Sequence, residues 1–250
     1  MIASNSTRLM AAAKTLAVIF FILLTGAVAC AQALTVFPVM IPLSRGQKAT
    51  SLTITNKGTS ETAVQIRAYG WSQKDGDGDI QLTATNLVAL SPPIARIAPG
   101  ASQVVRLILR QTPEKREATY RILIDQIPPP AEPGVVHIVL RMSIPIFAQP
   151  EVRSFADVQF HLERKDGQID LVAINAGNLH ELIRDIVLTT SDGRKLKAES
   201  SASPYILAGA TRRWHIAAQD SLPLSSETLQ LTAHANSGAI EEQVRFVQAQ

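Results

Sequence analysis

Beyond residue 33, apolar and polar positions alternate with period 2 along most of the chain, the pattern of strands that bury one face. The segment "SLTITNKG" (51–58) alternates with a β-branched bias and ends in an Asn/Gly turn. "AVQIRAYGWSQ" (63–73) alternates until it meets the polar turn "KDGDGD" (74–79). "QVVRLILR" (103–110) and "TYRILIDQI" (119–127) follow, each bounded by proline, glycine or polar clusters. Further on, 158–178 reads as a hairpin and its continuation, 184–196 as a strand, an Asp-Gly turn and a strand, and two more strands close the chain. No stretch after residue 33 shows a convincing amphipathic helix. Short alternating strands separated by turns predict an all-β chain of sandwiches rather than βαβ units.

The stretch "VVHIVLRMSIPIFAQP" (135–150) is the hardest to place. One face carries Val136, Ile138, Leu140, Met142, Ile144 and Ile146; the other carries His137, Val139, Arg141, Ser143, Pro145 and Phe147. Pro145 argues against a central strand. Six apolar residues in a row on one face are an aggregation hazard at an edge. Alternation alone leaves open whether this is an edge strand and what covers its apolar row. Pro150 interrupts the strand pattern within "AQPEVRS" (148–154). A boundary there divides the mature chain into 34–149 and 150–250, sandwiches of roughly 115 and 95 residues.

Residues 1–33 read as a secretory signal peptide. Arg8 and Lys14 precede the apolar run at 16–28, and Ala31, Gln32 and Ala33 form an Ala-x-Ala cleavage site. The run is shorter than the ~20 residues a spanning helix needs. Cys30 would suit a lipoprotein, but Ala27 stands where leucine is usual three residues earlier. Cleavage after Ala33 removes Cys30, the only cysteine, so neither a disulfide framework nor a Cys-ligated metal is expected. It also removes two of 24 basic residues, leaving 22 against 21 acidic ones. That balance suggests neither nucleic acid nor a membrane surface as partner.

Enzyme chemistry finds little support. His137, His161, His180, His215 and His234 are too far apart in sequence for zinc-type spacing. No Gly-x-Ser-x-Gly elbow and no phosphate loop occur. Asp75, Asp77 and Asp79 fail the calcium-loop test, because positions six and twelve from Asp75 are Ile80 and Asn86. No cofactor or metal is therefore expected. Arg106, Arg110, Arg121 and Arg141 lie in or at the ends of largely apolar strands. Such a charge needs a partner or an exit to solvent. Snorkelling or structural ion pairs would account for them, and so would a carboxylate anchor, since guanidinium binds carboxylate bidentately.

"SPPIARIAPGASQVVRL" (91–107), "YRILIDQIPP" (120–129) and a strand ending "IPIFAQP" (144–150), after the early "SLTITN" (51–56), resemble the periplasmic pilus chaperones of the chaperone–usher pathway. The resemblance covers most of 34–150 and is weak beyond. It implies two immunoglobulin-like β-sandwich domains in a boomerang arrangement, in the periplasm, with pilin subunits and an outer-membrane usher as partners. By its analogy, Val136, Ile138, Leu140, Met142 and Ile144 would be donated to a pilin that lacks its last strand. Relatives anchor the pilin's terminal carboxylate with an Arg and a Lys, but Met40 and Pro145 stand at those places. That departure resembles the archaic, spore-coat-like Csu branch and implies a relocated anchor, with Arg121 ahead of Arg141 and Arg106 third. The competing expectations are a sandwich that self-associates through the same edge as a homo-oligomer, and a secreted hydrolase for which no residues stand out.

Overall fold

A computed structural model describes residues 34–73, 80–130, 133–134, 138–165, 168–198, 203–216 and 228–247. The proposed signal peptide, the 74–79 turn, Val136 and His137 lie outside the described residues. All regular structure among the described residues is β.

The first half builds two sheets. One has the order β1 (Leu34–Phe37), β3 (Ala49–Asn56), β8 (Ser102–Leu109), β6 (Val88–Ser91). The other runs β2 (Ile41–Leu43), β10 (Arg141–Ala148), β9 (Ala118–Ile127), β4 (Thr62–Gln73), β5 (Ile80–Ala84), with β7 (Ile94–Ile97) also paired to β4. The sequence pattern explains the layering. In β3, Leu52, Ile54 and Asn56 are buried while Ser51, Thr53 and Thr55 face outward; in β8, Val105, Leu107 and Leu109 are buried. These rows meet Val64, Ile66, Ile122, Ile124 and Ile146 from the facing sheet in one apolar core.

The second half is a single sheet in the order β14 (Lys195–Lys197), β13 (Glu181–Thr189), β17 (Thr228–Ala235), β18 (Gly238–Val247), β11 (Val158–Lys165), β12 (Gln168–Asn175), β16 (Thr211–Ile216), with β15 (Tyr205–Ile206) on β13. A bridge between Ala198 and Ile216 brings its two ends together. Leu162, Leu171, Leu188, Leu231 and Trp214 fill its core.

The two halves turn the same kind of corner. Asn56 ends β3 fully buried, donating to the carbonyls of Ser60 and Ile97 while its Oδ1 accepts from Gly58 N. Asn175 ends β12 likewise, donating to Leu179 and Ile206 and accepting from Gly177 N. Each buried amide satisfies loop backbone groups that would otherwise be orphaned.

β10 is shorter than the apolar row suggests. Pairing starts at Arg141, and residues 138–140 carry no strand assignment. One buried arginine hides β16, "TRRWHI", from a reading by alternation, since Arg212 is as inaccessible as the leucines around it.

Candidate functional site

β10 pairs with β9 along its whole length, from Arg141 opposite Asp125 to Ala148 opposite Ala118. Its other neighbour, β2, covers only Ile146, Phe147 and Ala148. Residues 141–145 therefore present an uncovered backbone edge among the described residues, a ready template for another strand.

The apolar row rises out of the core along this edge. Ile144 is buried in the first core and Met142 is half-buried against it. Leu140 is 40% exposed and Ile138 83% exposed. Leu140 is held beside β9, its carbonyl accepting from Gln126 N at 2.9 Å and its N–H donating to Gln126 Oε1 at 3.3 Å. Ile138, Val139 and Leu140 also line an open groove with Ile127, Pro128 and Arg96.

The opposite face of β10 packs against the second half. There Phe147 stacks on His180 with ring centres 3.6 Å apart, and Trp71 and Tyr205 complete an aromatic cluster. Glu117 is buried at this junction and accepts from His180 N at 2.9 Å and pairs with His180 Nδ1 at 2.7 Å. Gln73 reaches across too, donating to Tyr205 O and accepting from Leu207 N.

Arg121 stands on this face one row above Phe147, directly opposite Pro145. Its residue is 8% exposed, and the guanidinium carbon lies 3.9 Å over the Trp71 ring. Nη1 donates to Ser143 Oγ at 3.3 Å, while the buried Nε has no hydrogen-bond partner. No carboxylate among the described residues forms an ion pair with it. Burial pulls its basicity below the ordinary arginine value, partly offset by the nearby Tyr205 phenol. Guanidinium nonetheless stays charged at any physiological pH, so this is a desolvated cation lacking a counter-ion.

Arg141 is different. It donates to Asp125, which also accepts from Arg67 at 2.6 Å. Burial opposes ionisation of Asp125, but the hydrogen bonds from Arg141 and Arg67 outweigh it and hold the carboxyl below its usual range. Arg106 lies exposed on the outer face of the other sheet, opposite Ser51. Met40 and Pro145, where a cationic pair was looked for, both border the Arg121 neighbourhood: Pro145 is its cross-strand partner, and Met40 Sδ accepts from Tyr205 Oη at 3.9 Å. Tyr205, Gln73 and Glu117 escaped the sequence reading. Their side-chain contacts with the other half span 63 to 165 residues, and no local spacing marks them.

Comparison with known proteins follows this geometry. Residues 33–153 match the family described as pili and flagellar-assembly chaperone, PapD N-terminal domain. A 116-residue segment is 26% identical to the chaperone protein FimB/FhaD of Bordetella pertussis, covering 39% of this chain. The match spans about half of that relative, 48% of its length. Among solved structures, the fold is similar to the CsuC–CsuE chaperone–tip adhesion subunit complex of archaic chaperone-usher Csu pili from Acinetobacter baumannii. The TM-score is 0.63 at 20% identity, over 87% of this chain and 100% of that one. The YadV chaperone gives a TM-score of 0.61 at 17% identity, over 85% and 98% of the two chains. The shared architecture is all-β with two immunoglobulin-like domains, and the matching family is one of chaperones, not of enzymes. Residues 33–153 are thus similar to the N-terminal domain of the pili and flagellar-assembly chaperones.

Proposed function

We propose that the protein is a periplasmic chaperone that completes pilin subunits by lending them the open edge of β10 and then delivers them to an outer-membrane usher. The signal-like residues 1–33 would export it, residues 34–149 would form the subunit-binding domain, and 150–250 the second domain. The observation that carries this reading is the uncovered edge at 141–145, continued by the exposed Leu140 and Ile138. Main-chain hydrogen bonds to a client strand would satisfy the edge, and the alternating side chains would fill the client's groove. The similarity to the Csu chaperone fold and the missing cationic pair at Met40 and Pro145 support placement in the archaic branch.

The donor row is Val136, Ile138, Leu140 and Met142, with Ile144 as its root in the chaperone's own core. Each fully buried aliphatic side chain contributes about 1.5–3 kcal/mol gross. Ile144 is buried before any client arrives, so it adds little to binding. Arg121 anchors the client's terminal carboxylate, which would supply the counter-ion its desolvated guanidinium lacks. Arg141, already paired with Asp125, holds the root of the donor segment instead.

The test is co-purification of periplasmic clients with the full-length exported chain. Leu140→Glu should abolish client capture while the thermal transition is kept, because the side chain is exposed in the free protein. Arg121→Ala should reduce loading at least tenfold, the scale expected for a charge-assisted hydrogen-bonded pair. Unchanged capture by Leu140→Glu would overturn strand donation. Loss with Arg141→Ala but not Arg121→Ala would move the anchor to the neighbouring residue.

A further inference from the structure

A second polar group meets the Trp71 ring that Arg121 covers. Tyr205 comes from the second half on the two-residue strand β15, yet its ring packs on first-half side chains. Ring centres lie 5.7 Å from Trp71 and 5.1 Å from Phe147. Arg121 covers the same Trp71 ring at 3.9 Å. The phenol's hydrogen-bond partner is the Met40 thioether at 3.9 Å, and a thioether is a weak acceptor. A stronger acceptor arriving beside Tyr205 would capture that proton.

The backbone under Tyr205 is held from two sides. Gln73 donates to its carbonyl at 2.7 Å and accepts from Leu207 N at 2.8 Å, bracketing the residue with one amide. Arg212, fully buried, donates to the same carbonyl at 2.8 Å. Two domains that only needed to pack together would not require a phenol fixed so firmly beside a guanidinium that lacks a counter-ion. Directional donors pre-set around a charge-accepting position are what a carboxylate site needs, because they cost no reorganisation on binding.

We infer that the carboxylate anchor is composite: Arg121 of the first half supplies the charge, and Tyr205 of the second half supplies a hydroxyl donor to the same terminal carboxylate. This rests on the Arg121 reading above. Trp71 is the shared platform, while Gln73 and Arg212 are positioning residues acting through Tyr205. The consequence is that a client's C-terminus is read by both halves together.

The experiment uses the mature full chain and two labelled peptides of alternating valine and threonine, one ending in a free carboxylate and one in an amide. Binding is followed by fluorescence anisotropy. The wild type should prefer the acid over the amide at least tenfold. Tyr205→Phe keeps the ring contacts and the fold, and should cut that preference to about threefold, mainly by weakening the acid. Arg121→Ala should abolish it. A purely structural Tyr205 would leave the acid-to-amide ratio untouched, and that result would overturn the composite anchor while leaving Arg121 in place. Absence of acid binding, or equal binding of both peptides to the wild type, would overturn the Arg121 reading and this inference with it.

Discussion

Asp125 shows how a single side chain arranges the edge. Its carboxylate takes hydrogen bonds from Arg67 on β4 and Arg141 on β10, tying three adjacent strands on the face that carries Arg121. The fold holds its carboxyl below the ordinary range. Stability from these pairs is therefore present above the unfolded value near pH 4 and is lost as pH falls through the lower folded value. Asp125→Asn should lower the melting temperature modestly at pH 7. Wild type and variant should converge as the pH falls through the lowered folded value and the carboxyl is protonated in both states. The effect is small because Arg141 is largely exposed and solvent screens it. A thermal-melt series across pH checks the sign. The same pairing tells the two arginines apart. From sequence, Arg121 and Arg141 looked alike, each a cation interrupting an apolar stretch; the carboxylate that singles out Arg141 is 16 residues away on another strand.

At the scale of elements, the Asn-x-Gly corners set where strands end. Gly177 is the demanding position. A Cβ there would sit 2.5 Å from both Asp157 N and Phe155 O, which are backbone atoms that cannot rotate away. Gly177→Ala should therefore cost about 1–3 kcal/mol, the range for overpacking, read by urea denaturation. Gly46, at φ +74° with open space around it, should be limited to the smaller cost of placing a side chain in the left-handed region, about 1–2 kcal/mol. The long strands were legible because one face of each is polar: β3, β4, β8, β9, β11, β12 and β13 fall close to where alternation puts them. The short β2, β7 and β15 were not, since two to four residues contain too few alternations to register. β10 was overextended for a physical reason. Alternation reports a continuous apolar row but not where the neighbouring strands stop covering it.

Across the whole molecule, the junction between the halves is built from groups that meet only after folding. Glu117 is buried there, accepting from both the backbone and ring of His180, while Asn178 O accepts from Glu117 N. Phe147 stacks on the same imidazole. Glu117→Ala would leave the His180 N–H without its acceptor, a cost of about 1–3 kcal/mol. Since that contact joins the halves, the expected outcome in calorimetry is a single transition broadening or splitting into two. A uniform shift of one sharp transition would show that the junction is held by the aromatic packing instead.

The amino-acid pattern by itself determined the all-β class, the two-part organisation and the continuous apolar row that leads into β10. Those properties are local: period-2 alternation, turn residues and residue identity at a position do not depend on what the chain later touches. Only the tertiary structure decided that Ile144 belongs to the protein's own core and that Arg141 is paired with Asp125; among the described residues, β2 leaves 141–145 open and no carboxylate pairs with Arg121. It alone brought Tyr205 to the Trp71 platform. Burial and pairing are set by residues tens to more than a hundred positions away, and no periodicity in one strand encodes which of them will arrive.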